Sequence, residues 1–150
     1  MHGDEIFRCT ECGTRSPYVP YCATHARKIF GVEIRVSELE NAGLGLFAVR
    51  DFKRGELVAT YGGEKLTPDE VDKRYGVNGL AAYALTIHPN KLILDAITVR
   101  GYGSMANDGH GVRRCNAHFS KKGDTGLLRA NRRIHNGEEI LASYGREYWT

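Results

Sequence analysis

The chain has 150 residues, 41% of them hydrophobic and 26% charged, with a formal net charge of +3. That is the size of one domain able to bury a core, and its charge is too weak and too scattered to point to nucleic acid. No apolar run approaches a membrane span, and Met1-His2-Gly3-Asp4-Glu5 lacks the basic and apolar stretches of a signal peptide, so an intracellular setting with free thiols is the expectation.

Three of the four cysteines fall near the start, as Cys9-x-x-Cys12 and Cys22-x-x-His25. Two pairs with two-residue gaps fit a tetrahedral Cys3His zinc site. A short segment poor in apolar residues needs such a staple, so the expected role is structural. Four protein ligands also leave no open position for chemistry. The spacing predicts a short helix over His25–Phe30, leading into the main body.

Val32-Glu33-Ile34-Arg35-Val36 alternates apolar and charged residues and reads as a strand. Gly43-Leu44-Gly45-Leu46-Phe47-Ala48 fits the dinucleotide fingerprint G-x-G-x-x-A. That fingerprint needs a helix opening in the glycine loop. Here Phe52-Lys53-Arg54-Gly55 reads as a turn where the helix should run, so an extended chain is expected instead. Leu57–Tyr61 is rich in β-formers and ends in Tyr61-Gly62-Gly63-Glu64.

Thr67-Pro68-Asp69-Glu70 is a helix start, with Thr67 as N-cap, proline in the first turn and Glu70 at the capping-box position. The helix is expected to end near Tyr75–Gly76. Tyr83–Ile87 and Lys91–Ala96 read as strands around a turn at His88-Pro89-Asn90. Cys115 reads as a buried thiol apart from the zinc cluster. Arg129–Ile134 is expected to be a strand, and Asn136-Gly137 a tight turn. Eighteen glycines favour a turn-rich fold over a helix bundle.

Three stretches, in this order and spacing, resemble the motifs of the SET-domain protein-lysine methyltransferases. They are Gly43–Ala48; Met105-Ala106-Asn107-Asp108-Gly109 with Cys115-Asn116-Ala117; and Asn136-Gly137-Glu138-Glu139-Ile140-Leu141-Ala142-Ser143-Tyr144-Gly145. The resemblance runs from about Val32 to Trp149. It implies a mainly β fold with short helices, a β-clip-like set of several small sheets with a knot-like carboxy-terminal threading. The expected organisation is a zinc-binding segment over 1–30 and a SET methyltransferase domain over 31–150.

By the same resemblance the cofactor is S-adenosylmethionine, held by Gly43, Leu44, Gly45, Phe47, Tyr83, Met105, Asn107, Asp108, Tyr144 and Trp149. Tyr144 matches the catalytic tyrosine. Tyr61 matches a residue lining the target-lysine channel, and Tyr83 one whose hydroxyl lies near the sulfonium. The implied substrate is a lysine-containing protein, with histone tails as the usual target, in the nucleus. Neither base-reading of nucleic acid nor a membrane is implied. Two departures stand out. Asp108 replaces a histidine, and Ala142-Ser143 replaces Phe-Asp before the tyrosine. A small Ala142 implies room for more than one methyl group. A catalytically silent SET-like binding module, or a zinc-finger interaction protein on a scaffold, are the alternatives.

Overall fold

Glycine and proline turns cut the chain into short strands, and the computed structural model describes residues 6–76, 83–109 and 114–143. In order these are β1 (Phe7–Arg8), β2 (Arg15–Ser16), helix α1 (Ala23–His25) with a π-helical turn (Ala26–Phe30), β3 (Val32–Val36), β4 (Leu44–Ala48), β5 (Leu57–Thr60) and β6 (Gly62–Leu66). Helix α2 (Pro68–Tyr75), β7 (Ala84–His88), β8 (Leu92–Arg100), a 3-10 turn (Tyr102–Met105), β9 (Ala117–Lys122), β10 (Thr125–Ala130) and β11 (Glu139–Ile140) follow. They form four small antiparallel sheets, ordered β1-β2, β5-β10-β9, β11-β4-β3 and β6-β8-β7. This is the mainly β arrangement with short helices that the sequence implies.

The glycine loop does feed a strand and not a helix, since Leu44–Ala48 pairs with both β3 and β11. Helix α2 begins as its sequence dictates. The Thr67 hydroxyl accepts from the Glu70 N–H (3.2 Å) while the Glu70 carboxylate accepts from the Thr67 N–H (2.9 Å). Its far end is tied to the sheet by Asp95, which is fully buried. Arg74 (2.9 Å) and the Tyr75 hydroxyl (2.6 Å) donate to one Asp95 oxygen and the Ile97 N–H (3.1 Å) to the other. A buried carboxylate needs such partners to offset its lost hydration.

The strand expected over Arg129–Ile134 lies elsewhere. β10 spans Thr125–Ala130, as half of a hairpin with β9 that turns at Gly123 (φ +60°). Beyond Ala130 the chain bends, because the Asn131 N–H is taken by the Asn116 carbonyl (2.9 Å). Ile134 makes only an isolated bridge to Phe52. The amino-terminal helix also starts earlier than expected, at Ala23, and closes at Gly31 in a left-handed conformation (φ +87°).

One buried cluster runs through the molecule, with Ala26, Phe30, Val32, Leu46, Tyr61, Tyr102, Leu128 and Ile140 among its members. The last described segment crosses it. The Ala142 N–H donates to the Asn107 carbonyl (2.9 Å), while the Leu141 carbonyl accepts from the N–H groups of Asn116 and Ala117 (both 3.0 Å). Leu141 and Ala142 are thus held in parallel bridges to Asn107 on one side and Ala117 on the other. This is the knot-like carboxy-terminal threading.

Candidate functional site

The crossing is held by two asparagine side chains, one buried and one half-buried. Asn116 offers a donor and an acceptor at once. Its amide donates to the Glu139 carbonyl (3.0 Å) and its oxygen accepts from the Leu141 N–H (2.9 Å). Asn107 is half-buried, and its amide donates to the Leu44 carbonyl (2.9 Å) and to the Glu139 carboxylate (3.3 Å). Both residues thus tie the crossing segment to its neighbours.

Glu139 is the participant that the sequence reading missed. It is 4% exposed. One oxygen accepts from the Ser37 hydroxyl (2.7 Å) and from Asn107, the other from the Glu38 N–H (2.8 Å). The carboxylate therefore joins the start of the glycine loop to the crossing. It also explains Gly45. A Cβ there would lie 2.4 Å from a Glu139 oxygen, so a larger residue would displace that carboxylate. Gly43 differs, with φ +73° and open space where a Cβ would point. A ligand can therefore approach the main chain at Gly43, while Gly45 makes room for Glu139.

A cleft of about 410 Å³ opens between Leu39, Glu40, Asn41 and Ala42 of this loop and Asn107, Asp108 and Gly109. The residues just before the glycine pair and the Asn-Asp motif meet there, 65 residues apart from Ala42 to Asn107. The lining fits a polar, partly cationic cofactor such as S-adenosylmethionine, with main-chain groups and the Glu40 and Asp108 carboxylates, and Gly43 beside it carries no side chain to crowd the approach. Leu44 is exposed and held by Asn107 through its carbonyl. Phe47 is buried, with the Arg35 guanidinium 5.0 Å from its ring centroid. Met105 is half-buried against the core. Of the described residues expected to hold the cofactor, Asn107 and Asp108 line this cleft, whereas Gly43, Leu44, Gly45, Phe47, Tyr83 and Met105 do not.

Tyr61 is 1% exposed and packs edge-to-face on Phe119 at 5.6 Å. Its hydroxyl donates to the Tyr83 carbonyl (2.6 Å), which also accepts from the Ala96 N–H (3.0 Å). Tyr83 itself is 40% exposed, with the Arg100 guanidinium 5.8 Å from its ring. The two tyrosines are thus coupled, and the inner one fixes the main chain of the outer. Tyr144 and Trp149 lie outside the described residues.

The four amino-terminal ligands converge. Their candidate ligand atoms all lie within 4.8 Å of one another. Cys12 and Cys22 sulfurs are 3.8 Å apart, and His25 Nδ1 is 3.3 Å from the Cys22 sulfur and 3.6 Å from that of Cys9. Ligands of a tetrahedral zinc with bonds of about 2.3 Å stand roughly 3.8 Å apart, so the cluster could hold that ion. Burial raises the Cys9 thiol, but the N–H groups of Cys22, Glu11 and Cys12 outweigh it and bring the thiol down to about 6. Cys115 is half-buried, not buried as expected, and stands apart from this group. The module docks on the 3-10 turn. Tyr102 packs on Tyr18 (5.4 Å) and Phe30 (6.3 Å), its hydroxyl donates to the Tyr21 carbonyl (2.9 Å), and burial pushes its phenol up to about 12.

A sequence model of the SET domain matches residues 43–145. The variant-silencing SET domain-containing protein of Plasmodium falciparum (isolate 3D7) is 41% identical over 51 residues, which is 34% of this chain and 2% of that protein. A ctPRC2 structure, autoinhibited and bound to S-adenosylmethionine, is similar with TM-score 0.66 and 26% identity over 79% of this chain and 15% of its own. The Chaetomium thermophilum polycomb repressive complex 2 aligns with TM-score 0.63 and 26% identity, over 78% and 15%. A ctPRC2 complex with H3K27me3 and H3K27M aligns with TM-score 0.62 and 26% identity, over 76% and 14%. The chain therefore spans only a small part of each relative. Among the described residues no helix is long and apolar enough to cross a membrane. With glycine loop, Asn107 and threaded segment in one assembly and a family match over most of its length, the chain belongs to the SET-domain family, a family of lysine methyltransferases.

Proposed function

We propose that the chain is an S-adenosylmethionine-dependent protein-lysine N-methyltransferase that acts on histone tails in the nucleus. The observation that carries this reading is the bracketing of Leu141–Ala142 between Asn107 and Ala117, next to the open cleft at the glycine loop. The S-adenosylmethionine and H3K27me3 held by ctPRC2 support the cofactor and substrate class. In this reading residues 1–30 form a zinc-binding segment with a structural ion on Cys9, Cys12, Cys22 and His25, and 31–150 the SET domain.

S-adenosylmethionine, when bound, supplies a methyl group carried on a sulfonium. Gly43, Leu44, Asn107 and Asp108 would hold the cofactor, Gly45 shaping the loop around Glu139, with Phe47, Tyr83, Met105, Tyr144 and Trp149 completing the set by family match. The target amine is an ammonium at neutral pH and has no lone pair to donate. Apolar surroundings such as Tyr61 and Ala142, both buried, disfavour the charged form and lower the amine's pKa. The Tyr144 hydroxyl would hold the neutral amine in line, so that alignment lowers the barrier. Main-chain carbonyls can polarise the methyl C–H bonds. The Tyr61 and Tyr83 rings suit a methylated ammonium, and a small Ala142 leaves room for more than one methyl group.

Asp108 in place of histidine favours a second reading, a silent module that binds cofactor without turnover. One experiment separates the two: mass spectrometry of core histones incubated with protein and S-adenosylmethionine, beside Tyr144→Phe. Gains of about 14 Da on lysine that the variant loses are the expected result. Cofactor binding with no gain on the histones points to the silent module or to a non-histone substrate.

A further inference from the structure

Two turns far apart in sequence meet at the edge of the β5-β10-β9 sheet. Phe52 and Ile134 exchange N–H···O bonds (2.8 and 3.0 Å), the Gly55 N–H donates to the Ala130 carbonyl (2.8 Å), and the Ala130 N–H donates to that of Glu56 (3.0 Å). This register lays Lys53 and Arg54 alongside Arg132 and Arg133, and all four are exposed. Residues 50–56 and 129–133 hold six cations (Arg50, Lys53, Arg54, Arg129, Arg132, Arg133) against two acids (Asp51, Glu56), a net +4 in a chain whose total is +3.

Both acids are engaged within the tip. Asp51 accepts from the Asn136 N–H (2.8 Å) and Arg133 (3.1 Å), and Glu56 from the Lys53 N–H (2.7 Å) and Arg50 (3.2 Å). The next acid along, Glu138, accepts from the His135 N–H (2.6 Å). Arg129 donates to the Gly55 carbonyl (3.1 Å). Lys53, Arg54 and Arg132 make no ion pair among the described residues.

We propose that this basic tip is a contact for the phosphate backbone of duplex nucleic acid. The charges that look scattered along the sequence are gathered by the pairing of the two turns. Two hydrogen-bonded turns hold them on a firm base, and arginine forks match phosphate oxygens. The tip presents cations and no exposed aromatic ring, since Phe52 is fully buried, so the contact does not read bases. It rests on charge placement alone and stands whether or not the chain transfers methyl groups.

The test is fluorescence anisotropy of the full chain with two labelled duplexes of unrelated sequence, from about 50 mM salt upward. The expected result is equal affinity for both duplexes and a log–log salt slope of about −3, for roughly three neutralised phosphates. Lys53→Glu, Arg54→Glu and Arg132→Glu combined should weaken binding by about tenfold or more, with the circular-dichroism melt unchanged. Lys65→Glu, Lys91→Glu and Lys122→Glu combined make the same charge change at exposed positions elsewhere and should cost much less. Equal losses in the two triple variants, no binding at the lowest salt, or equally tight binding to polyglutamate would each overturn the proposal.

Discussion

At the amino-terminal end β1 and β2 are two residues each, and beside them three sulfurs and an imidazole nitrogen gather at one point. At the carboxy-terminal end β11 is also two residues long, but Ile140, Leu141 and Ala142 are all buried. The first region has little apolar surface to bury, and ligands to a single ion can take its place. The second has burial in plenty, and its difficulty is to satisfy main-chain groups where the chain crosses itself. Asn116, Asn107 and Glu139 do that. The difference teaches that one region gathers ligands that could hold an added ion, whereas the other depends on a few polar atoms being correctly placed.

The largest expected effect breaks the first region. Cys22→Ser, or a strong chelator, should release one zinc per chain and lower the melting temperature by about 10 °C or more, since structural zinc contributes folding energy directly. Native mass spectrometry and a thermal melt check both halves of that statement. Next comes the crossing. Asn116→Ala leaves the Leu141 N–H and the Glu139 carbonyl buried without their partner, at a cost of roughly 3 kcal/mol. Urea unfolding should show it as a lower midpoint at unchanged slope, with zinc content unaltered.

Glu139→Gln sharpens the comparison further. Every group facing this carboxylate is a donor, so an amide loses one hydrogen bond. The melting temperature should fall by only a few degrees, while S-adenosylmethionine binding weakens about tenfold, roughly 1.4 kcal/mol. Calorimetric titration checks this, and unchanged affinity would show that Glu139 serves the fold alone. The smallest effect concerns the turn that leads into the crossing. The Asn136 N–H, then the charges of Arg133 and His135, hold Asp51 below the usual aspartate range. A lowered carboxylate lends stability that is complete above its unfolded value and is lost as pH falls through the folded one. Asp51→Asn should therefore have the lower urea midpoint at neutral pH, and the gap should close below about pH 4.

Legibility in the sequence follows the distance between partners. Helix α2 was readable because Thr67, Pro68 and Glu70 are neighbours and its cap is local. The Cys9, Cys12, Cys22 and His25 cluster was readable because each pair closes its own turn. The glycine loop and the Asn motifs were readable only as a set, through their order. Glu139 was not, because its partners Ser37 and Asn107 lie 102 and 32 residues away. In the sequence it is one more acid after a turn. The misplaced strand at Arg129–Ile134 has the same cause. Its residues suit a strand, but Asn116 and Phe52, from distant segments, take the main-chain groups a strand would need. Lys53 and Arg132 likewise become one surface only when Phe52 meets Ile134.

In the proposed reading the cleft between Leu39–Ala42 and Asn107–Gly109 is the cofactor site, beside a loop shaped by Gly45 around Glu139. Isothermal titration of S-adenosylmethionine into the wild-type chain and into Gly45→Ala tests it most directly. The account predicts one site per wild-type chain and a loss of binding in the variant, whose added Cβ would collide with the Glu139 carboxylate. No binding to the wild type, or equal binding to a folded Gly45→Ala, would contradict it.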